Sequence, residues 1–155
     1  MSCRRSIQIF ALGSPHGDDR VAWVAADRLS QDSAIRPFVH TLVTPWDMVQ
    51  LLLPDCSVIV IDACLGCSVP GAVHRLTGRE LATSPAARHS THGGSLAGSI
   101  ELAATLQRTI RELVVFAVEV ESCEPGTELS ESAHAGVDAV VEQIRAQLSE
   151  WMPAR

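Results

Sequence analysis

The sequence predicts an α/β fold of three layers, in which helices cover both faces of a mostly parallel sheet. The first segment supports this fold, because the apolar run Ile7–Leu12 is followed by the tight loop Gly13–Pro15 and then by apolar residues at helical spacing. The β-branched run Ser57–Ile61 supports it too. A strand that is apolar at consecutive positions is buried on both faces, as in parallel sheets. Strands that alternate with helical segments form βαβ units.

The first half of the chain contains further elements. Asp18 and Asp19 follow the first strand and are suited to cap the next helix. The apolar face of that helix consists of Val21, Val24, Ala25 and Leu29. The alternating segment Phe38–Val43 predicts the second strand. Thr44 and Pro45 predict a helix start, with Thr as the N-cap and Pro at the first helical position.

The second half of the chain supplies two more strands and two helices. Ala72–Leu76 begins only about ten residues after Ser57–Ile61. A parallel crossover needs a dozen or more residues, so we expect these two strands to form an antiparallel pair. Residues 77–93 look irregular, and Leu113–Val118 predicts a buried fifth strand. One helix is predicted from Gly94 with Leu96, Ile100, Ala103 and Leu106 inward, and one from about Ser130 with Ala133, Val137, Val140, Val141, Ile144, Leu148 and Trp151 on its apolar stripe.

Length and composition fit one domain over residues 1–155. Hydrophobic residues make up 46% and charged residues 19% of the chain, a balance that supports a continuous core. The net charge of −6 argues against a nucleic-acid partner, which would require a basic face. The sequence has no apolar run of the roughly 18 residues that span a bilayer, and no signal peptide is recognisable. We expect a cytoplasmic monomer with neither nucleic-acid nor membrane partners.

Acidic and imidazole side chains follow or precede several predicted elements. Asp18 and Asp19 follow the first strand, Asp62 ends the third, and His92 precedes a later helix. In an open α/β sheet the strand ends at one edge face a common crevice, and a 2-1-3 strand order puts the first and third strands beside it. Two carboxylates and one imidazole form a three-ligand set with an open position, as in catalytic metal sites.

Simpler interpretations compete for each of these residues. One of the pair Asp18 and Asp19 is expected to be a helix cap, because free N–H groups and the helix dipole stabilise an Asp there. Asp62 leaves a buried strand and must find donors or an ion. Spacing alone does not choose His92 over His89. The remaining histidines have no supporting pattern: His16, His40, His74 and His134.

Cys64 and Cys67 have the C-x-x-C spacing that occurs in zinc and redox sites. No second such pair exists to complete a structural zinc site. A thioredoxin-like pair would lie at a helix start near a first strand, which these residues do not. We therefore interpret both as small buried or loop thiols.

Four segments of the chain form a familiar pattern in a fixed order. The first segment is residues 11–23 (ALGSPHGDDRVAW), and the second is residues 60–73, which contain Val60-Ile61-Asp62-Ala63, Gly66 and Pro70-Gly71-Ala72-Val73. The third is Thr91-His92, which precedes an apolar helix. The fourth is residues 119–130, which contain Glu119, Glu121, Gly126 and Ser130. Together these segments resemble the nickel-iron hydrogenase maturation endopeptidases. The match covers most of the chain, and four blocks in order are more specific than any one of them.

The resemblance implies both a fold and an activity. The implied fold is a twisted, mixed five-stranded sheet with helices on both faces. The implied activity removes a C-terminal extension from a hydrogenase large-subunit precursor after nickel insertion. Asp19, Asp62 and His92 correspond to the family's metal-binding positions, which selects His92 over His89. They would act through nickel that the substrate already holds, or through another divalent metal in vitro.

Four features depart from the family's pattern. Ser14 replaces the usual Asn, the loop before Asp18 is one residue shorter, and Arg20 stands where Gly is expected. Arg20 is suited to pair with the precursor or with a ligand carboxylate, and either contact would alter metal affinity. Residues 43–47 are closer to a Leu-Thr-Pro variant than to the Asp-Gly-Gly-Thr of many members. We expect these changes to affect substrate choice rather than chemistry.

Two other functions fit parts of the pattern. A receiver-like signalling domain also carries Asp-Asp after its first strand and Asp after its third. Its phospho-acceptor pocket needs a Lys, however, and this chain contains none. A non-catalytic relative, a nickel-sensing chaperone that binds the precursor without cutting it, is compatible with Arg20 and the altered loop. The endopeptidase is the function that we predict.

Overall fold

A computed structural model describes residues 6–126 and 128–152 and joins the five predicted strands into one sheet. The strands are β1 (Ile7–Leu12), β2 (Val39–Leu42), β3 (Cys56–Leu65), β4 (Val73–Thr77) and β5 (Ile110–Val120). The α-helices are α1 (Val21–Leu29), α2 (Pro45–Leu51), α3 (Pro85–Arg88), α4 (Gly93–Thr105) and α5 (Glu131–Trp151). The predicted mixed α/β architecture is confirmed.

The strand order is β2-β1-β3-β5-β4. Strands β1, β2, β3 and β5 are parallel, and β4 is antiparallel. The predicted pairing of the fourth strand with the third was wrong, because β4 pairs with β5 at the edge of the sheet. The physical reason is burial. The inner half of β5 is fully buried and takes the place beside β3, whereas β4 includes the exposed Arg75 and tolerates an edge.

Helices cover both faces of the sheet. Alternate residues of β3 point to opposite faces, so Ile59 packs in the core beneath α1 and α5 and Val58 packs in the core beneath α2 and α4. All seven predicted stripe residues of α5 are buried. The prediction for Leu106 was wrong, since this residue is the C-cap of α4 and is exposed. Within the described residues, no helix has the length and apolarity to cross a membrane.

The predicted helix starts after β2 and after β5 are confirmed. The Thr44 hydroxyl accepts a hydrogen bond from the Trp46 N–H at 3.3 Å, and the Ser130 hydroxyl accepts one from the Ala133 N–H at 3.2 Å. These side chains satisfy N–H groups that a helix start leaves unpaired. The segment 77–93 is less irregular than predicted, because it includes the short helix α3.

Gly136 lies inside α5, where glycine normally costs about 1 kcal/mol relative to alanine. A Cβ atom at this position would lie 2.6 Å from Cγ1 of Val118 on β5. We therefore expect Gly136→Ala to lower the free energy of unfolding, because overpacking typically costs about 1–3 kcal/mol and outweighs the gain in helix propensity. Urea unfolding measures the change. A rise in stability would contradict this close contact, and Ala135→Gly at an exposed neighbouring position reports the propensity effect alone.

Candidate active site

The site lies where β3 extends beyond β1. The pairing of β1 with β3 ends at Ala11 and Ile61, so Asp62 is the first residue of β3 past that pairing. The prediction that Asp62 ends the strand was wrong, because β3 continues to Leu65 alongside β5. The continuation leaves a notch at the carboxyl edge of the sheet, at the switch point between β1 and β3. Asp62 lies in this notch and is fully buried.

Four donors surround the Asp62 carboxylate. Its Oδ1 accepts hydrogen bonds from the Ala63 N–H at 2.8 Å and from the Thr91 hydroxyl at 3.0 Å, and lies 2.8 Å from Nδ1 of His92. Its Oδ2 accepts from the Ser90 hydroxyl. These contacts explain how a carboxylate is accommodated in a buried strand, since both of its oxygens have donors. They also attach the segment before α4 to the sheet.

His92 is the N-cap of α4 and contacts Asp62, whereas His89 is exposed at the end of α3. The hydrogen bond to Asp62 raises the pKa of His92, and burial opposes this rise. The charges of Asp62 and Asp19 raise the pKa further, as does the backbone carbonyl of Val43. A ring whose Nδ1 is held by a carboxylate is the arrangement found for histidines that bind metals through the other nitrogen.

Asp19 lies in the 3-10 turn Gly17–Arg20 and is only 8% exposed. Its Oδ1 is buried and has no hydrogen-bond partner among the described residues. A buried carboxylate oxygen without a donor carries a desolvation cost that a cation would offset. The Asp19 charge raises the pKa of His92 and, after burial, is the next largest cause that raises the pKa of Cys123 to about 11. Asp19 therefore belongs electrostatically to the same site.

Asp18 has a different role from its neighbour. Its carboxylate accepts hydrogen bonds from the Ser130 N–H at 2.7 Å, the Ser130 hydroxyl at 2.8 Å and the Glu121 N–H at 3.3 Å. Neither Asp18 nor Asp19 caps α1, so the predicted capping role was wrong. Asp18 instead connects the loop after β1 to the start of α5, which only the tertiary fold brings nearby.

The three predicted ligands are not yet at bonding distance from one common point. Asp62 and His92 are in contact, but the ligand atoms of Asp19, Asp62 and His92 do not all lie within 4.8 Å of one another. Among the described residues, the group that meets this criterion consists of Cys64, His74 and Glu119. A metal shared by Asp19, Asp62 and His92 therefore requires the Asp19 carboxylate and the other two ligands to move closer together.

Gly13 and Arg20 both contribute to the conformation of the turn that contains Asp19. A Cβ atom at Gly13 would lie 2.6 Å from the backbone oxygen of Asp19, so the absence of a side chain permits this close approach. Arg20 donates through Nε to the carbonyl of Gly17 at 3.3 Å. This contact stays within the turn and is neither of the pairings expected for Arg20.

Exposed apolar side chains lie in loops and at the ends of elements on the same edge of the sheet. Val43 follows β2, Trp46 lies in the first turn of α2 near Gly98, Leu65 ends β3, and Val69 is 74% exposed in the next loop. We call Val43, Trp46, Leu65 and Val69 the apolar rim. Exposed apolar residues around a polar notch are typical of surfaces that bind another protein chain.

Comparison with known proteins identifies the family. A family model for hydrogenase maturation proteases matches residues 44–147, which include Asp62 and His92 but begin after Asp19. No curated protein sequence matches.

The chain is similar to the structure of the hydrogenase maturating endopeptidase HybD from E. coli, with 21% identity, coverage of 94% of this chain and 93% of that chain, and a TM-score of 0.76. It is also similar to the [NiFe] hydrogenase maturation protease HybD from Thermococcus kodakarensis, with 22% identity, coverage of 92% and 98%, and a TM-score of 0.73. The chain belongs to the hydrogenase maturation protease family.

Proposed function

We propose that this protease removes the C-terminal extension of a nickel-iron hydrogenase large-subunit precursor and recognises the nickel of that substrate through Asp19, Asp62 and His92. The observation that carries the proposal is the contact between Asp62 and His92 beside the unpartnered Oδ1 of Asp19. The family match supports the proteolytic activity independently of these contacts. It also disfavours the receiver-like alternative. A cleavage assay distinguishes the endopeptidase from the non-catalytic alternative.

The donor set suits nickel that is already held by a substrate. Imidazole nitrogen and carboxylate oxygen both bind first-row divalent metals. Three ligands leave coordination positions for the precursor's own groups, so only a loaded precursor would complete the coordination. Asp62 would exchange one of its hydroxyl donors, Ser90 or Thr91, for the metal. His92 would keep its orientation through the remaining contacts.

The substrate metal would serve mainly as a recognition element. A cation in the notch neutralises Asp19 and Asp62, and it also polarises a scissile carbonyl that lies next to it. The apolar rim would hold the peptide on either side of that bond, because extended peptides commonly bind through apolar side chains around a polar centre. Cleavage would therefore require both the correct metal and the correct chain segment.

A comparison of nickel-loaded and nickel-free precursor tests the proposal. We expect the wild type to shorten only the loaded precursor, and Asp19→Ala to leave both intact, because Asp19 supplies the unpartnered oxygen. Mass spectrometry of the precursor C-terminus measures the product. A matched control is Asp27→Ala, which removes an exposed carboxylate from α1. Equal cleavage of both precursors by the wild type, or full activity of Asp19→Ala, would exclude nickel recognition at this site.

A further inference from the structure

A second group of metal-binding side chains lies on the same sheet face as Asp62. Cys64 is on β3, Glu119 is its direct partner on β5, and His74 is on β4 opposite Ala117. Residues two apart in a strand share a face, so Cys64 lies on the face of Asp62 and Glu119 lies on that of Ala117. Three adjacent strands therefore present a thiol, an imidazole and a carboxylate to one point.

Two of the three ligand-atom separations within this group match those around a bound zinc ion, and the third is at most 4.8 Å. Sγ of Cys64 lies 3.3 Å from Oε2 of Glu119, and Nε2 of His74 lies 3.5 Å from the same oxygen. The three ligand atoms all lie within 4.8 Å of one another. Zinc bonds of 2.0–2.3 Å at tetrahedral angles give ligand atoms about 3.3–3.8 Å apart, so little movement is needed for an ion to enter.

The existing contacts of the three side chains leave their ligand atoms available to bind a metal ion. Glu119 divides its oxygens, because Oε1 accepts from the Cys67 N–H at 2.9 Å and Oε2 faces the group. The loop contact can therefore persist when a metal binds. Nε2 of His74 is buried and forms no hydrogen bond within residues 6–126 and 128–152. A buried nitrogen without a partner costs free energy, which ligation to a metal would remove.

We propose that Cys64, His74 and Glu119 form a zinc site that is separate from the site of Asp19, Asp62 and His92. Sulfur, nitrogen and oxygen donors together favour zinc over the hard cations Mg²⁺ and Ca²⁺, which prefer oxygen alone. On binding, the S–H bond of Cys64 breaks, the sulfur bonds to zinc, and the proton passes to water. The ion joins β3, β4 and β5 just beyond the notch, and thereby fixes the edge that carries Asp62.

Cobalt substitution tests this site without any assay of proteolysis. We expect Co²⁺ added to the purified chain to produce a sulfur-to-cobalt charge-transfer band that zinc removes by competition. The ligand set Asp19, Asp62 and His92 contains no sulfur, and the variant Cys123→Ser tests whether the thiol near these carboxylates contributes to the band. Cys64→Ser should abolish the band, and His74→Gln should weaken cobalt binding at least about tenfold because one of three ligands is lost.

Matched variants separate the zinc site from other causes. Cys123→Ser removes a half-buried thiol outside the group and should keep the band, and Asp62→Asn should keep it as well. His74→Gln changes a partly exposed residue on an edge strand, so it provides a folded variant if Cys64→Ser is unstable. Absence of the band in the wild type, or a band that persists at full strength in both Cys64→Ser and His74→Gln, would overturn the proposal.

Discussion

Asp62→Asn is expected to cleave nickel-loaded precursor at least about 100-fold more slowly than the wild type. Loss of a group that only orients a metal ligand typically costs about 10–100-fold. In the proposed site, Asp62 both binds the metal and orients His92, which it contacts. The amide also replaces one acceptor oxygen by a donor that would face hydroxyl or N–H groups. Single-turnover cleavage with excess enzyme measures the rate without interference from product release.

Asp138→Asn provides the matched control for this substitution. It makes the same chemical change at a carboxylate on α5 that is 70% exposed and pairs with Arg28. Surface pairs of this kind contribute little, so we expect wild-type cleavage. Circular dichroism establishes that both variants are folded. A folded Asp62→Asn that cleaves at the wild-type rate would remove Asp62 from the site.

Asp18→Ala is expected to lower the free energy of unfolding by at least about 3 kcal/mol, whereas Asp19→Ala is expected to change it by less than about 1 kcal/mol. Hydrogen bonds to charged groups contribute about 1.5–3 kcal/mol each, and Asp18 accepts three of them while Oδ1 of Asp19 accepts none. Of these two adjacent aspartates, Asp18 would thus serve mainly the stability of the fold and Asp19 mainly catalysis. Urea unfolding monitored by tryptophan fluorescence gives both free energies.

Asp18→Asn tests the assigned contacts further. The amide keeps one acceptor for the Ser130 N–H, so its loss of stability should lie between those of the wild type and Asp18→Ala. If Asp19→Ala lost as much stability as Asp18→Ala, the two side chains would share one structural role. The distinction between Asp18 and Asp19 would then be wrong.

Much of the fold is predictable because it depends on local hydrophobic patterns. The runs Ile7–Leu12 and Ser57–Ile61 define β1 and the first half of β3, and the stripe of α5 follows from helical spacing. The extension of β3 to Leu65 is not predictable in this way. Ala63, Cys64 and Leu65 lack β-branching, and they become a strand because β5 pairs with them.

The site is predictable only in part. A charge at the end of a buried run indicated Asp62, and the same signal at Glu119 after Leu113–Val118 could have drawn attention to the second group. The roles of Asp18 and Asp19 depend on Ser130, more than 100 residues away, so spacing could not separate them. His92 differs from His89 through its contact with Asp62 across the fold. Local sequence chemistry could not decide between these two histidines, and the family resemblance selected His92.

The two outermost strands of the sheet limit self-association. β2 has four residues and β4 has five, and each carries polar side chains such as Thr41 and Arg75. Intermolecular strand addition, the first step toward fibrils, requires a long apolar edge with many unpaired backbone groups. Short edge strands with polar side chains offer few unpaired backbone groups. The protein should therefore remain monodisperse at concentrations where a long apolar edge strand would cause aggregation.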